Sequence, residues 1–598
     1  MTKPLERQAR QDVETLPAWR LDDLYPGRES TALADDLKSA EAAARAFESR
    51  YKGGLAALSG ADLGAAIARY EEIDETLTRL MSYAHLTYAG DVGDAEIGRF
   101  FQGVQEKVNV IASHLLFFTL ELNDIDDAAL EAGFSDPILA RYAPWLRDIR
   151  VMRPYQLSEE IERLLHEKSV AGRAAWTRLF DETIAALTFP VGGKALSSAE
   201  VLHRLSDPDG AVRREAAEVL GRVLGEHIRT FAFITNTLAK DREIENRWRG
   251  FKRPVSARNL ANLVEDEVVD ALVAAVKDAY PSLSHRYYRI KARWFGGDVL
   301  DYWDRNAPLP EEPDRVISWP EARDTVLAAY ARFSPEMAEI GARFFDERWI
   351  DAQIRPGKAP GAFSHATVPS VHPYILLNYQ GRVRDVMTLA HELGHGVHQV
   401  LAAGQGHLMA DTPLTLAETA SVFGEMLTFR AMLDAEDDPR NRRAMLAGKV
   451  EDMLNTVVRQ IAFYEFERRV HDARKQGEIT AERLGEIWLE IQKESLGPAI
   501  RFDEAYRAYW SYIPHFIHAP FYVYAYAFGD CLVNALYAVY REAEAGFAEK
   551  YLAMLRAGGS KRHQELLAPF GLDASDPGFW KRGLGLLEGF IDELDEKG

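Results

Sequence analysis

Cysteine is almost missing from this sequence. The 598 residues include a single cysteine, Cys531, so no internal disulfide bond can form. Disulfide-rich folds belong to oxidising compartments, and the cysteine content points to none. The first 20 residues are charged and lack the apolar run of a secretory signal. We therefore predict a cytoplasmic protein.

Long hydrophobic runs and basic clusters are also lacking. The most apolar stretch, Tyr522–Tyr540, is interrupted by Gly529, Asp530 and Asn534, which suits a buried core helix better than a membrane span. The formal net charge is −21 and no basic run occurs, whereas binding to nucleic acid phosphates requires a basic face. We expect neither a membrane nor a nucleic acid as partner.

Alternating strand patterns are scarce, and helical patterns fill most of the chain. In residues 31–52, apolar side chains recur at helical spacing until Gly53 and Gly54 end the run. Similar patterns occupy residues 60–90, 95–122, 157–188 and 209–247. The sequence therefore predicts a mostly α fold. Its length exceeds one ordinary hydrophobic core, and the turn at residues 190–193 suggests an N-terminal helical domain (1–195) and a catalytic domain (196–598).

One segment, residues 356–379, breaks the helical pattern. It is rich in proline and glycine and contains the apolar run Tyr374–Leu377. We predict a loop with one or two short strands, at Ala362–His365 or Ile375–Tyr379, that form a small β-sheet beside the next helix. An exposed edge of that sheet could bind an extended peptide.

The next helix carries the strongest chemical signal. In residues 385–401, DVMTLAHELGHGVHQVL, an apolar stripe lies opposite the stripe of His391, His395 and His398. Imidazoles at positions i and i+4 can both reach one Zn²⁺ ion. Glu392 is turned about 100° from His391 and can accept a proton from water that the metal acidifies. The pattern predicts one catalytic zinc ion per chain, held by His391 and His395, with Glu392 as general base.

A catalytic zinc requires a third protein ligand. The metzincin pattern would need glycine at 398 and histidine at 401, and this chain has His398 and Leu401. We predict Glu418 as the third ligand, from the helix that follows. Glu425 and His398 are candidates to accept or donate hydrogen bonds behind the ligands, although Glu425 could also be a surface glutamate.

Two other interpretations of these residues stay open at this point. The histidine stripe could be a solvated polar face. The chain could also be a helical peptide-binding or scaffold protein with a structural or vestigial metal, although Glu392 and the lack of a four-ligand site speak against this.

Taken together, several segments resemble the oligoendopeptidase F family of thimet-oligopeptidase-like zinc metallopeptidases. The matching segments are HELGH at 391–395, LAETAS at 416–421, WRLDDLY at 19–25, GAFS at 361–364, and HF at 515–516 with FYVYAYAFG at 521–529. The resemblance implies a large helical two-lobed body, a deep substrate channel with zinc at its floor, and cleavage of internal bonds in short unstructured peptides.

The resemblance also assigns roles to single residues. It matches His391, His395 and Glu418 with zinc ligands and Glu392 with the general base, and it matches His515, Tyr522 and Tyr524 with groups that bind substrate and stabilise the oxyanion. If a helix starts at Pro520, Tyr524 is turned about 200° from Tyr522, so which tyrosine acts stays open. A carboxypeptidase or dipeptidyl carboxypeptidase on the same zinc helix is the alternative activity, and the oligomeric state is left open.

Overall fold

The computed structural model describes residues 16–309, 316–543 and 545–596. Helices make up most of the described chain, with a few very short strands, so the predicted mostly α fold is confirmed. The chain forms two compact units that are both discontinuous in sequence. Unit 1 comprises Met1–Arg153, Asp314–Ala435 and Glu542–Gly571, and unit 2 comprises Pro154–Pro313, Glu436–Arg541 and Leu572–Gly598. The division of the sequence at 195 and 196 stays a prediction.

The helices follow one another in chain order. The first group, in unit 1, is α1 Thr31–Tyr51, α2 Gly60–Gly90, α3 Ala95–Ser113, α4 Leu116–Asp124, α5 Asp127–Gly133, α6 Pro137–Arg141 and α7 Ala143–Ile149. The second group, in unit 2, is α8 Glu159–Ser169, α9 Arg173–Ala186, α10 Ser198–Arg204, α11 Gly210–Glu226, α12 Ile228–Arg249, α13 Ser256–Ala261, α14 Asp266–Ala279 and α15 Ser284–Trp294.

The chain then returns to unit 1 with α16 Trp319–Phe333, α17 Pro335–Asp346, α18 Val383–Ala402, α19 Leu414–Ala417 and α20 Thr419–Asp434. Unit 2 continues with α21 Pro439–Thr456, α22 Val458–Arg474, α23 Ala481–Leu496, α24 His515–His518 and α25 Tyr524–Glu542. The last helices are α26 Phe547–Arg556 and α27 His563–Leu567 in unit 1, and α28 Pro577–Glu596 in unit 2.

The strands form three small sheets in the described chain. Unit 2 holds an antiparallel pair, β1 Phe189–Val191 with β2 Lys194–Leu196, and a parallel pair, β3 Leu300–Asp301 with β7 Ile500–Arg501. Unit 1 holds a three-stranded sheet of β4 Ile350–Asp351, β5 Phe363–His365 and β6 Tyr374–Leu376, in the order β4-β6-β5. Strand β5 packs against α18, so the small sheet predicted beside the metal-binding helix is confirmed.

Several helices begin or end at capping residues or glycines that the sequence places there. The Ser30 side chain caps α1 by accepting from the Leu33 N–H, and Gly53 adopts a positive φ of 78° just after the helix. The helical patterns at 95–122, 157–188 and 209–247 each cover two helices in the structure. Gly172 separates α8 from α9, because glycine readily leaves the helical conformation.

A buried lysine anchors the loop that precedes α18. The ammonium of Lys358 donates to the Asp351 carboxylate at 2.7 Å and to the Leu377 carbonyl at 2.8 Å. Asp351, which is fully buried, also pairs with Arg355. A buried charge is tolerated only when it is paired and hydrogen-bonded, as here. These bonds tie β4 and β6 to the loop and so fix the sheet beside α18.

None of the helices in the described part of the chain has the combination of length and apolar character that crossing a membrane requires. The stretch Tyr522–Tyr540 mostly forms α25, whose residues from Tyr524 to Tyr537 are almost all buried within the protein. This agrees with its interpretation as a core helix.

Candidate active site

Helix α18 carries two histidines on one side and is anchored by buried apolar side chains on another. Val386, Leu389 and Leu393 on this helix are completely buried. On another side of the helix the rings of His391 and His395 lie 4.9 Å apart, centroid to centroid. Because buried aliphatic side chains fix the rotation of a helix, the two imidazoles are presented together in a fixed direction.

Helices α18 and α20 approach each other very closely, and a glycine makes this possible. A Cβ atom at Gly394 would lie 2.5 Å from the Ala420 carbonyl oxygen and 2.6 Å from the Ser421 Cα. Nearby, the Tyr330 hydroxyl donates to the Ala390 carbonyl of α18 at 2.6 Å. The contact brings the start of α20 directly beside the two histidines.

Glu418 lies at that start, between α19 and α20, and not within one continuous helix as the sequence suggested. Its Oε2 atom is 3.3 Å from His391 Nε2 and 3.4 Å from His395 Nε2. One ligand atom from each of the three residues lies within 4.8 Å of the other two. The structure thus brings together all three residues that the sequence predicts as metal ligands.

Hydrogen bonds orient two of these three side chains. Glu425 Oε2 is 3.3 Å from His391 Nδ1, on the side of the ring away from Glu418. The Ser421 hydroxyl donates to Glu418 Oε2 at 2.6 Å. The sequence left two roles open for Glu425, a surface glutamate or a hydrogen-bond partner behind a ligand. Its position behind His391 suits the second role, because such a hydrogen bond usually orients a ligand imidazole.

The electrostatics of this cluster favour a cation. Burial opposes protonation of His391, but the hydrogen bond with Glu425 and the negative charges of Glu418 and Glu425 outweigh it and raise the pKa of His391 to about 9. Burial likewise opposes ionisation of Glu418, yet its hydrogen bond with His395 and the nearby imidazoles lower its pKa to about 2. The negative charges of Glu418 and Glu425 therefore favour a positive charge at the point where the three ligand atoms converge.

The donor set fits a divalent metal ion. Two imidazole nitrogens and one carboxylate oxygen form a common protein ligand set of catalytic zinc, which leaves one coordination position free. The ion-free contacts of 3.3 and 3.4 Å leave the ligand atoms close enough to converge on one ion. The three side chains are also half-buried and not enclosed, so a small molecule can reach them.

Glu392 lies beside the cluster and contacts the sheet. It is only 7% exposed, and burial raises the pKa of its carboxyl, although the backbone N–H of Ser364 in β5 donates to it. Ser364 is held in turn by Gln399 of α18, since its hydroxyl donates to the Gln399 amide oxygen at 2.9 Å. Gln399 was not predicted as a site residue, although it lies four residues after His395 and continues the histidine stripe of α18.

The sheet geometry chooses between the two strands proposed as a peptide-binding edge. Strand β6 is central and paired on both sides, by β4 and by β5. Strand β5 is an edge strand, with β6 as its only strand partner in the described residues. Phe363–His365 is therefore the strand whose outer edge lies beside α18, where the Ser364 carbonyl accepts a hydrogen bond of 3.4 Å from the Gln399 amide.

His398 does not contact the ligands by hydrogen bonding in the way the sequence suggested. Burial lowers the pKa of His398 to about 4, and its ring donates to the backbone carbonyl of Leu555 on α26. This neutral imidazole links α18 to α26, so its role is to hold the helix in place.

The other predicted site residues belong to unit 2, where three rings cluster. The ring of His515 lies 6.3 Å from that of Tyr522 and 6.0 Å from that of Tyr526, and the two tyrosine rings are 5.2 Å apart. The Tyr526 hydroxyl is 3.5 Å from His515 Nε2. Burial, together with the charge of Arg459, lowers the pKa of His515. Tyr526 was not among the predicted site residues, although its spacing from Tyr522 was visible.

Tyr524 lies apart from this His515 cluster. Its ring is fully buried, and its hydroxyl accepts a hydrogen bond of 2.8 Å from the Asn262 amide. The helix considered from Pro520 does not start there, since α25 begins at Tyr524. Phe521 instead adopts a left-handed turn with φ of 60°, and its N–H donates to the buried Glu467 carboxylate at 2.8 Å.

Comparisons with known proteins agree with this arrangement. The sequence profile of Peptidase family M3 matches residues 204–586, and that of Oligopeptidase F matches residues 121–189. The chain is 28% identical to Oligopeptidase PepF of Bacillus subtilis, over 98% of this chain and 88% of that protein. It is 25% identical to an Oligoendopeptidase F homolog of Borreliella burgdorferi, over 88% of this chain and 90% of that protein.

Solved structures show the same fold. A crystal structure of a protein from Chlamydophila abortus aligns with a TM-score of 0.86 at 25% identity, covering 98% of both chains. The structure of oligoendopeptidase-F from Enterococcus faecium aligns with a TM-score of 0.69 at 24% identity, covering 95% of this chain and 97% of that one.

Proposed function

The chain belongs to peptidase family M3, a family of metallopeptidases, and from this premise we propose that it is a zinc-dependent endopeptidase. Its substrates would be short unstructured peptides, cleaved at internal bonds. The observation that carries the proposal is the convergence of His391, His395 and Glu418, whose ligand atoms lie within 4.8 Å of one another.

We assign one zinc ion per chain to these three side chains. When bound, zinc supplies Lewis-acid chemistry, which polarises a carbonyl group and makes water a stronger acid. Glu425 orients the imidazole of His391 through Nδ1, and Ser421 holds the Glu418 carboxylate. These contacts support the assignment because they leave Nε2 of His391 directed at Glu418.

Glu392 is the proposed general base. It follows His391 directly on α18, so its carboxylate is turned about 100° from the ligand stripe and stays beside the metal without being a ligand. It would take the proton from the attacking water and pass it to the nitrogen of the leaving amine. The nearby Ser364 N–H favours the ionised carboxylate, which is the form that accepts a proton.

Substrate binding is assigned to β5 and to the His515 cluster. At the outer edge of Phe363–His365, an N–H of an extended peptide would bond to the second lone pair of the Ser364 carbonyl, beside the 3.4 Å bond from Gln399, so affinity would depend little on substrate side chains. By the family resemblance, His515 and Tyr522 bind substrate and donate to the developing oxyanion. We add Tyr526 to this pair, because its hydroxyl is 3.5 Å from His515 Nε2, and we leave out Tyr524, which is fully buried and bonded to Asn262. The cytoplasmic location stays a prediction.

The general-base assignment is tested with Glu392→Gln. We expect this variant to bind zinc as the unmodified chain does and to lose hydrolysis by about 10²–10⁴-fold. Glu339→Gln, at an exposed glutamate of α17, is the matched control and should keep full activity. Near-native turnover by Glu392→Gln would remove the assignment.

A fluorescence-quenched peptide blocked at both ends separates the two candidate activities. An endopeptidase cleaves it, whereas a carboxypeptidase or dipeptidyl carboxypeptidase requires a free terminal carboxylate. Cleavage that is abolished by a chelator and restored by Zn²⁺ is the expected result. Cleavage of only the peptide with a free carboxyl terminus would favour the alternative.

A further inference from the structure

Unit 2 contains a cavity of about 260 Å³ that the proposed function does not use. Its walls come from α10, α22 and α23 and from the 3₁₀ segments Tyr302–Asp304 and Glu504–Tyr512. The residues that matter here are Tyr302, Arg305, Arg459, Trp488, Tyr506 and Tyr509. This group of six is called the arginine cavity below.

Two guanidinium groups line the arginine cavity without a carboxylate partner. In the described part of the chain, no Asp or Glu oxygen lies within 4.0 Å of the side-chain nitrogens of Arg305 or Arg459. Glu451, whose charge acts on Arg305, is already bonded to the buried ammonium of Lys291 and to the Tyr287 hydroxyl. Both arginines are half-buried, and a positive charge that is partly removed from water is costly unless an anion compensates it.

The two arginines also repel each other. Burial lowers the pKa of Arg459, and the charge of Arg305 lowers it further. The same Arg459 charge reaches His515 and contributes to lowering its pKa. Two neighbouring positive charges produce a positive electrostatic potential in the arginine cavity. This potential favours an anion between Arg305 and Arg459.

The remaining polar lining adds a donor and leaves apolar walls. Among the described residues, the indole N–H of Trp488, which is 2% exposed, has no hydrogen-bond partner, and indole can only donate. The hydroxyls of Tyr506 and Tyr509 are turned to protein acceptors, the Gln492 amide oxygen at 3.3 Å and the Ala217 carbonyl at 3.0 Å. Their rings are therefore available as apolar surface.

We propose that the arginine cavity binds a small organic anion, with a carboxylate or phosphate group between Arg305 and Arg459 and an apolar or aromatic body against the tyrosine rings. Guanidinium groups recognise both kinds of oxyanion through paired hydrogen bonds. The volume of about 260 Å³ exceeds the roughly 150 Å³ of a cavity that binds benzene, so it admits a ligand of the size of benzoate.

The test compares charged and neutral ligands of one shape on the full-length chain. Binding of benzoate and phenyl phosphate is measured by isothermal titration calorimetry at constant ionic strength, with benzamide as the neutral counterpart of benzoate. We expect at least one of the two anions to bind about tenfold or more tightly than benzamide. A preference for benzoate identifies a carboxylate ligand, and a preference for phenyl phosphate identifies a phosphate ligand. Equal binding of all three, or no binding, overturns the proposal.

Variants then locate the site. Arg305→Met and Arg459→Met should each weaken binding of the preferred anion about tenfold or more, whereas Arg483→Met, at an exposed ion pair of α23, should not. Unchanged anion binding by Arg305→Met overturns the assignment of the anion to the arginine cavity. If a variant does not fold, the comparison of benzoate, phenyl phosphate and benzamide on the unmodified chain still tests the proposal.

Discussion

Replacing Gly394 by alanine is predicted to disrupt the metal centre through one steric contact. The added Cβ would lie 2.5 Å from the Ala420 carbonyl oxygen and 2.6 Å from the Ser421 Cα, which is closer than such atoms approach each other. The contact is with backbone atoms, so α18 and α20 must separate. Overpacking of a close-packed interior costs about 1–3 kcal/mol. Because Glu418 directly precedes α20, the same movement draws its carboxylate away from His391 and His395.

A second glycine of a helix interior provides the control. Gly448 lies within α21, and a Cβ there would meet no atom within 4 Å. Gly448→Ala should therefore raise the free energy of unfolding by about 0.5–1 kcal/mol, the usual gain of alanine over glycine in a helix. Denaturant unfolding measures stability, and a competition titration with a chromophoric chelator measures zinc affinity. Only Gly394→Ala should lose both. If the two variants behave alike, the reasoning on the α18–α20 contact is refuted.

Three further outcomes are expected. Glu425→Ala should weaken zinc binding about 10–100-fold in a chelator competition, since the His391 ring loses its orienting partner; an unchanged affinity would contradict that role. Tyr526→Phe should lower kcat on a quenched peptide while leaving stability nearly unchanged, whereas Tyr524→Phe should cost about 1 kcal/mol of stability and little activity; the reverse pattern would contradict the assignment. Burial, with nearby positive charges, lowers the pKa of His471 to about 3. The unfolded chain therefore binds more protons below about pH 6.5, and this residue removes up to about 1.4 kcal/mol of stability per pH unit as the pH falls toward 3; denaturant unfolding at several pH values should show a shallower acid decline for His471→Gln.

Part of the cluster of His391, His395 and Glu418 was predictable because it depends on short-range spacing. His391, His395 and the apolar stripe of α18 follow from the helical period alone. Glu418 was also predictable, as a carboxylate of the segment that follows. The contact that brings it to the histidines was less visible, since it depends on Gly394 fitting against the backbone of α20, and such fits are properties of two segments together.

Long-range contacts explain what the sequence did not predict. Residues 520–523 do not join α25; Phe521 adopts a left-handed turn, and its N–H bonds to Glu467, more than 50 residues earlier in the chain. The contact of Gln399 with Ser364 could not be predicted from the sequence, because it forms only when β5 packs against α18. The two compact units each combine three separate stretches of chain, so no local signal marks their limits. The arginine cavity likewise joins segments that are far apart in sequence.

Anomalous diffraction at the zinc absorption edge, from crystals of the zinc-loaded protein, tests the metal assignment most directly. We predict one strong peak per chain, about 2.0–2.1 Å from Nε2 of His391 and of His395 and about 2.0–2.2 Å from a carboxylate oxygen of Glu418. A peak bound by other residues, or no peak among these three side chains, would contradict the account.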